Sequence, residues 1–283
     1  MRNREKSALN RRHDLIDQQR ALNRATADNQ ALFEGHRTRL MSLIEESGGS
    51  GRLALVGAGN CNDYDLPRLV SRFAHVELID VDAEAVEGAA FRQGVAGEVA
   101  IRAPCDVGNV GIAHDALEAG ASFPDVLEAL ARGTVPVDPN GFDLVVSAGV
   151  LTQAMRAVAG VLGENDARIG DLAVAVRSGH IRTLLGMARP GGRVLLVTEV
   201  VSNQVLPEVA DARESELGAI LFRAIFRGDV FTGVSPAAIT SWLGSERPFG
   251  ARLVTPGIFG PWRWRQSPAR TFLMVAFLME RPA

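Results

Sequence analysis

From Arg52 onward, short apolar runs alternate with stretches of helical periodicity, and this alternation limits the folds open to the chain. The runs are LALVG (53–57), VELID (76–80), VAIRA (99–103), FDLVVS (142–147) and RVLLVTEVV (193–201). Such continuous Val, Leu and Ile runs are typical of strands buried on both faces of a parallel sheet. Helices are predicted near 64–74, 83–94, 113–132 and 151–189, the last broken around Gly163 to Asp166. The pattern predicts an α/β fold with a doubly wound, mostly parallel sheet that binds ligands along one edge.

The two ends of the chain depart from this alternation. Residues 1–47 are predicted to form a helical N-terminal arm, whose second half carries apolar side chains at helical spacing. Thr26 or Asp28 is expected to cap that half, and the SGGSG segment to end it. Residues 48–283 are predicted to be one domain, with a helical insertion at about 205–245 and a terminal antiparallel hairpin. The arm could pack on the domain, contact a second copy in a homodimer, or cover a ligand, and we expect its second half to be a lid.

Composition excludes several classes of protein. Lys6 is the only lysine, and it lies in a polar N-terminal stretch, so pyridoxal-phosphate enzymes and P-loop hydrolases, which need a site lysine, are excluded. Two cysteines, and histidines without a metal-ligand spacing, predict neither a disulfide framework nor a metal site. A net charge of −3 gives no reason to expect a nucleic-acid partner. No apolar run approaches the ~18 residues of a membrane span, and the polar N-terminus predicts a cytoplasmic protein.

A glycine-rich turn follows the first predicted strand, in LALVGAGNCNDYDLPRL (53–69). Gly57 and Gly59 allow the backbone to turn tightly and to approach a ligand closely. Asp80 ends the second strand, where a carboxylate can accept hydrogen bonds from both ribose hydroxyls. Asp106 follows the third strand, where it can bind an adenine amino group. Because these loops share one edge of the predicted sheet, the sequence indicates a ligand that contains a nucleoside.

The residues after the glycine turn indicate which nucleoside ligand fits. The dinucleotide fingerprint GxGxxG requires a third glycine where Asn62 stands. Asn62 or Asp63 is the expected cap of the helix that follows, and Asp65 adds a further carboxylate. This acidic, amide-rich segment would repel a diphosphate and suits a cationic or zwitterionic group, such as an amino acid beside a sulfonium. NAD is therefore disfavoured.

Taken together, these motifs resemble the class I S-adenosylmethionine-dependent methyltransferases over about residues 50–205. FDLVVSAGVLTQ resembles the family's fourth-strand motif, and MARPGGRVLLVTEVV its helix, turn and fifth strand. The resemblance implies a seven-stranded, Rossmann-like sheet and S-adenosyl-L-methionine as the cofactor. The residues that it places at the cofactor are Gly57, Gly59, Asn60, Asn62, Asp63, Asp80, Val81, Asp106, Val107 and Ser147.

Two departures from the family pattern lie at the methionine end of the cofactor. Leu55 stands where the family often has an acid, and Cys61 replaces the third glycine of GxGxG. We expect Asn60, Asn62 and Asp63 to take over the contacts to the amino and carboxylate groups. Cys61 is interpreted as a small packing residue, since no nearby cation lowers its pKa.

The sequence offers several candidates for positioning an acceptor or moving its proton, with a capping or packing role as the alternative for each. They are Tyr64, Gln153, Ser202 and Glu199. Thr152 and Arg156 follow the fourth strand on the same edge and have the same two interpretations. His180 is interpreted as a packing residue towards the far edge of the sheet. The aromatic-rich segment 222–264 is the expected wall of an apolar substrate pocket.

Methyl transfer to a small-molecule substrate is the function that these motifs favour. A second hypothesis keeps the cofactor but cleaves or cyclises it, by azetidine-2-carboxylate-type or aminocarboxypropyl chemistry that releases 5′-methylthioadenosine. The departures at Leu55 and Cys61 lie where such a change would be found. A third hypothesis is a nucleotide-binding module without catalysis, since no base is obvious from the sequence.

Overall fold

The computed structural model describes residues 17, 19–108, 111, 115–116, 119–133, 141–162 and 166–283. The strands are β1 Arg52–Val56, β2 His75–Ile79, β3 Val99–Arg102, β4 Phe142–Ala148, β5 Ala188–Ser202, β6 Arg252–Ser267 and β7 Arg270–Glu280. The helices are α1 19–26, α2 Glu34–Glu46, α3 Leu66–Arg72, α4 Ala83–Arg92, α5 Phe123–Arg132, α6 Val150–Leu162, α7 Ile169–Met187, α8 Glu214–Arg227 and α9 Pro236–Glu246. The expectations for residues 1–16 and for the helix break at 163–165 lie outside the described residues.

All seven strands form one sheet in the order β3-β2-β1-β4-β5-β7-β6. The first five strands are parallel, β7 runs antiparallel to β5, and β6 runs antiparallel to β7. This confirms the predicted doubly wound sheet of the methyltransferase type with its C-terminal antiparallel hairpin. Because β7 is antiparallel, its first residues lie at the same edge as the last residues of β1, β4 and β5. One edge of the sheet therefore collects the ends of the parallel strands and the turn of the hairpin.

Alternate residues of each central strand enter two separate hydrophobic cores. Leu53 and Leu55 of β1 pack in a core with α2, α3 and α4. Ala54 and Val56, on the opposite face of the same strand, pack with α5, α6 and α7. Successive side chains of a strand point to opposite faces of the sheet, so a strand can be apolar throughout only when both faces are covered. The continuous apolar runs in the sequence are thus explained by helices on both sides of the sheet.

The arm divides into two parts with different surroundings. Helix α2 is a core helix, since Leu40, Leu43 and Ile44 are fully buried against the sheet. The expectation that residues 28–46 cover a ligand is therefore wrong for α2, whose apolar stripe is taken up by the core. Neither expected cap is found, because α2 begins after Phe33 without a side-chain cap.

The segment at about 205–245, predicted to be an insertion, lies beside the hairpin. It contains α8, α9 and a short 3-10 turn at Pro207–Val209. The buried face of α8 forms a third, smaller core with Val201 and Leu273. Across the described ranges, no helix is both long enough and apolar enough to cross a bilayer.

Candidate functional site

A cavity of about 370 Å³ lies along the edge where the parallel strands end. Its walls come from the loops after β1, β2 and β3, the first turns of α6, the end of β5, the hairpin, and arm residues between 19 and 33. It is lined by Gly57, Gly59, Asn60, Asn62, Asp63, Asp80, Val81, Asp106, Val107, Gln153 and Glu199, and also by Thr26, Cys61 and Arg156. Most of the predicted site is therefore brought together around one cavity.

The glycine loop adopts a backbone conformation that most residues avoid. Gly57 and Gly59 have φ of 74° and 48°, and a Cβ on Gly57 would collide with the side chain of Val150. Cys61 also has a positive φ, of 51°, which explains why the family resemblance places a glycine there. Burial and the nearby Asp80 and Asp63 raise the pKa of the Cys61 thiol, so it stays protonated at neutral pH. Cys61 is thus a packing residue, not a nucleophile.

Asp80 connects the glycine loop to the end of β2. Its Oδ2 accepts a 2.9 Å hydrogen bond from the amide of Gly59, and its Oδ1 accepts one of 2.8 Å from the amide of Asp82. Burial raises the pKa of Asp80, and these backbone hydrogen bonds partly offset the increase. Each oxygen keeps a second lone pair for a ligand hydroxyl. Asp82 caps α4 by accepting a hydrogen bond from the amide of Ala85.

Two acceptor oxygens beside the glycine loop are buried without a hydrogen-bond partner. They are Oδ1 of Asn62 and Oδ1 of Asp63. His36 Nε2 lies 3.4 Å from Asp63 Oδ1, but this approach lacks hydrogen-bond geometry. Burial first, and then the nearby Glu199, raise the pKa of Asp63 to about 7, against the opposing effect of Arg37. A buried acceptor without a donor is costly, so both oxygens are suited to a cationic donor from a ligand.

Neither Asn62 nor Asp63 caps the next helix, which corrects the expectation from the sequence. The cap of α3 is Asp65, which accepts a 3.1 Å hydrogen bond from the amide of Arg68. Pro67, in the first turn of α3, fixes this start, because proline is tolerated where an amide has no helical partner. Asn62 and Asp63 line the cavity instead.

Glu199, near the end of β5, is a buried carboxylate on the cavity wall. Its Oε2 accepts a 2.6 Å hydrogen bond from Thr152 Oγ1 in the first turn of α6. Burial raises its pKa to about 7, although Thr152, Arg156 and Arg270 oppose the change. A carboxylate that titrates near neutral pH can take a proton from an acceptor at physiological pH.

Asp106 organises the loop after β3. Its two carboxylate oxygens accept hydrogen bonds from the amides of Gly108 at 3.2 Å and Gly111 at 2.7 Å. This loop also supplies Val107, whose carbonyl lies 3.1 Å from Nδ1 of His180. The loop that is predicted to contact adenine is therefore anchored to α7 as well as to itself.

Three predicted site residues do not line the cavity. Ser147 is fully buried, and its hydroxyl lies 2.9 Å from Nε2 of His180. Tyr64 packs in the core with its hydroxyl unpaired, and Ser202 is buried where β5 pairs with β7. His180 is a packing residue, as expected, but it lies beside the carboxyl end of β4. The expectation that it lies towards the far edge is wrong, because α7 passes that end of β4 with its middle turn.

The aromatic wall is also smaller than predicted. Within residues 222–264 only Trp264 lines the cavity, while Phe222 and Phe226 project from α8 into solvent with 71% and 84% exposure. The other aromatic walls are Phe33 of the arm and Phe272 of β7. Helix α8 turns its apolar face to the third core, which leaves these two phenylalanines on the outside.

Two arm residues, Asn23 and Thr26, contact the glycine loop and its surroundings. Asn23 Nδ2 donates a 2.9 Å hydrogen bond to Asp82 Oδ2, and Asn60 Nδ2 donates to Thr26 Oγ1 at 3.2 Å. Asn62 Nδ2 donates to the carbonyl of Thr26 at 2.7 Å. Asn60 and Asn62 therefore use their amide groups to hold the arm, which the sequence did not predict.

Helix α2 holds the other end of this arm segment through His36. The imidazole stacks with Trp262 and Trp264, with ring centroids 5.9 and 5.1 Å away, and accepts a 3.0 Å hydrogen bond from Trp262 Nε1. Burial lowers the pKa of His36 to about 3, so it is neutral at physiological pH. Phe33, three residues before His36, packs edge-on against Trp264 and lines the cavity.

Arg270 is the charged wall residue that the sequence analysis missed. A signal for it was present, because it follows the turn of the predicted hairpin, at the edge where the parallel strands end. Asn23 and Phe33 carry no such signal, since their place depends on how the arm docks. Among the residues that the structure describes, no three His, Cys, Asp or Glu side chains are grouped to hold a metal ion.

No family model and no curated protein matches the chain. Solved structures with a similar fold include the N-methyltransferase NodS from Bradyrhizobium japonicum, with 16% identity over 90% of this chain and 99% of that chain and a TM-score of 0.44. A SAM-dependent methyltransferase from Leishmania major has 14% identity over 94% and 82% of the two chains and a TM-score of 0.47. An O-methyltransferase family protein from Burkholderia thailandensis has 15% identity over 94% and 60%, with a TM-score of 0.41. Likenesses this distant identify no ligand and no reaction.

Proposed function

We propose that the protein binds S-adenosyl-L-methionine and transfers its methyl group to a small molecule. The observation that carries the proposal is the pair of unpartnered acceptor oxygens on Asn62 and Asp63, beside the glycine loop. An ammonium group would supply the missing donors, and a sulfonium would supply the missing positive charge. A pyrophosphate would add negative charge to the same place, so NAD does not suit this site.

The rest of the cavity suits an adenosine. Asp80, at the end of β2, keeps free lone pairs for the two ribose hydroxyls and is held by backbone amides. Val81 and Val107 supply apolar wall surface on either side of the base, and Asp106 lies where an exocyclic amino group can donate to it. These residues follow two neighbouring strands, β2 and β3, and lie next to the glycine loop that follows β1 along the sheet edge.

The residues around the sulfonium would exclude water and stabilise its positive charge. Phe33 and Trp264 present aromatic surface in the cavity, and an aromatic face attracts a cation. When bound, S-adenosylmethionine supplies an activated methyl group to an acceptor nucleophile. What the chain supplies is orientation and desolvation, which can account for much of the rate of such a transfer.

Glu199 is the residue placed to take the acceptor's proton. It is buried at the cavity wall, oriented by Thr152, and has a pKa raised to about 7. In its ionised form it can accept a proton from a hydroxyl group as the oxygen attacks the methyl carbon, or from an ammonium group before the nitrogen attacks. Gln153 lies one helical turn before Arg156 and also lines the cavity. Its side-chain amide can orient the acceptor by hydrogen bonding.

The arm segment 19–33 is proposed to act as a lid. Asn23 and Thr26 bond to the glycine loop and its neighbour, and Phe33 forms part of the cavity wall. Arm residues thereby form one wall of the cavity. Helix α2 would act as the fixed stem of the lid, because it is buried in the core.

Calorimetry with S-adenosylmethionine, S-adenosylhomocysteine and NAD tests the cofactor. We expect dissociation constants in the low micromolar range or tighter for the first two ligands and no binding of NAD. Tighter binding of NAD would overturn the proposal.

Mass spectrometry of the products then tests the reaction. The protein is incubated with S-adenosylmethionine alone and with a set of small nucleophiles. Formation of S-adenosylhomocysteine that depends on an added acceptor supports methyl transfer. Release of 5′-methylthioadenosine without an acceptor would instead support cleavage or cyclisation of the cofactor.

A further inference from the structure

Two arginines lie at the end of the cavity away from the adenosine side. Arg156 extends from α6, which follows β4, and Arg270 is the first residue of β7. Both line the cavity. The charges of both guanidinium groups act on Glu199 of β5, so both groups lie near this carboxylate. The opposite end, after β2 and β3, carries Asp80 and Asp106.

Neither arginine has a side-chain hydrogen bond or salt bridge within the part of the chain that the structure describes, and Nε of Arg270 is buried without a hydrogen-bond partner. Glu199 interacts with both positive charges, while its Oε2 accepts a hydrogen bond from Thr152. Partial burial, and then the charge of Arg156, lower the pKa of Arg270, and the charge of Glu199 opposes the decrease. One carboxylate can balance only one of two neighbouring positive charges, and the two arginines repel each other. This arrangement therefore favours an anion from outside the chain.

The orientation of Arg270 is constrained by Phe272. The guanidinium carbon lies 5.0 Å from the centroid of the Phe272 ring, so the planar group is supported on one face. Its hydrogen-bond donors then lie in a plane, and a guanidinium binds a carboxylate through two parallel hydrogen bonds. Arg156 is exposed at the rim of the cavity, where an incoming ligand can reach it.

We infer that the methyl acceptor carries a carboxylate, which Arg156 and Arg270 bind while its nucleophilic atom lies beside Glu199. The inference rests on the proposed function and specifies its substrate class. The cofactor's own positive groups fit the acidic end at Asn62 and Asp63, which leaves the basic end for the acceptor. Phe33, Trp264 and Phe272 supply apolar surface between the two ends for the acceptor's carbon frame.

Binding to the protein saturated with S-adenosylhomocysteine tests the inference. The probes are small organic acids that carry a hydroxyl or amino group, among them 4-hydroxybenzoate, 4-hydroxyphenylacetate and glycine, each paired with its primary amide. We expect acids of this set to bind at least tenfold more tightly than their amides. In the R270Q and R156Q variants the acid should lose at least tenfold in affinity and its amide should lose less than twofold.

Arg265→Gln is the matched control, because Arg265 is exposed on the same hairpin and does not line the cavity. Its binding of acids should equal that of the unmodified protein. Equal binding of acids and amides, or binding of no acid in the set, would overturn the inference. A loss of S-adenosylhomocysteine binding in R270Q would also overturn it, since the arginine would then hold the cofactor's carboxylate. If S-adenosylhomocysteine fails to bind the unmodified protein, the proposed function itself is wrong.

Discussion

Thr152 Oγ1 donates a 2.6 Å hydrogen bond to Glu199 Oε2, and so joins the first turn of α6 to the end of β5 at the cavity wall. The bond favours the ionised carboxylate, whereas burial favours the protonated one. The balance places the pKa of Glu199 at about 7. Glu199 therefore exchanges its proton in the pH range in which most enzymes operate.

The first prediction concerns the pH dependence of methyl transfer. If Glu199 acts as the base, kcat/KM for S-adenosylmethionine rises with pH through about 7 and then levels off, because the ionised form is required. Glu199→Gln should abolish this rise and slow turnover by about 10²–10⁴. An unchanged pH profile in E199Q would assign the titration to another group, with Asp63 the first candidate.

Thr152→Val should shift the same profile. Removing a hydrogen bond to the ionised carboxylate raises the pKa of Glu199 further, so the rise should move to higher pH by roughly one to two units. The measurement is the pH dependence of kcat/KM in the two proteins. Thr198→Val is a useful control, since Thr198 is a neighbouring buried threonine that does not line the cavity. A profile that stays in place in T152V contradicts the assignment.

The third prediction concerns stability without ligand. The pKa of Glu199 is raised from 4.5 to about 7, so the folded protein binds this proton more tightly than the unfolded chain does. That contribution to stability is present below about pH 4.5 and is lost as the pH rises through 7. Glu199→Gln removes the buried charge, and should stabilise the protein at pH 8 by about 1–3 kcal/mol and by almost nothing at pH 5.

Denaturant unfolding of both proteins at pH 5 and pH 8 measures this difference. Asp63 titrates near Glu199 and in the same direction, so part of the pH dependence remains in the variant. Equal destabilisation by E199Q at both pH values would show that Glu199 is ionised and paired in the folded protein.

The fourth prediction concerns Asp80. Asp80→Ala removes the acceptor for the amides of Gly59 and Asp82, which is also the proposed acceptor for the two ribose hydroxyls. We expect at least a tenfold weaker affinity for S-adenosylhomocysteine, since one charge-assisted hydrogen bond contributes about 1.5–3 kcal/mol. Asp65→Ala is the control, because Asp65 caps α3 away from the cavity. Asp65→Ala should lower the free energy of unfolding by about 1 kcal/mol and leave the affinity unchanged. Weaker binding in D65A with unchanged binding in D80A would place the ribose elsewhere.

The fifth prediction concerns the arm. Asn23→Ala removes the hydrogen bond to Asp82 and leaves α2 in the core. It should weaken S-adenosylhomocysteine binding about fivefold, because one net hydrogen bond contributes about 1 kcal/mol to docking. Arg24→Ala, at an exposed position of the same helix, is the control. Equal affinity of N23A and R24A would assign the arm to packing alone.

The sheet and the glycine loop could be predicted from sequence because their signals are local. A run such as LALVG (53–57) has to be buried on both faces, and Gly57 follows it at once. The cap of α3 was missed although Pro67 indicated it, since Asn62, Asp63 and Asp65 all have capping side chains. Local propensity alone does not choose among them, and the choice decides which acids face the cavity.

The parts of the site that sequence reasoning missed depend on contacts between distant segments. Asn23 and Asp82 are 59 residues apart in the chain, and His36 and Trp262 are 226 apart. No period or spacing relates such pairs. Ser147 was placed at the cofactor by the family resemblance, yet its hydroxyl bonds to His180, because α7 brings an imidazole to that end of β4. The hydrogen-bond partner of Ser147, at the end of β4, thus depends on α7, which follows later in the chain.

The hydrogen bonds that Asn60 and Asn62 donate to the arm tie every binding constant of this protein to the docking of the arm. If the segment is docked in only a fraction of the molecules, the measured dissociation constant is the intrinsic one divided by that fraction. A substitution that touches no ligand atom, such as one at Thr26, then changes affinity through this population. Linkage makes the effect reciprocal. A bound ligand must therefore stabilise the docked arm by the same factor by which docking strengthens ligand binding. Protection of the arm's backbone amides from hydrogen exchange would then report occupancy of the cavity.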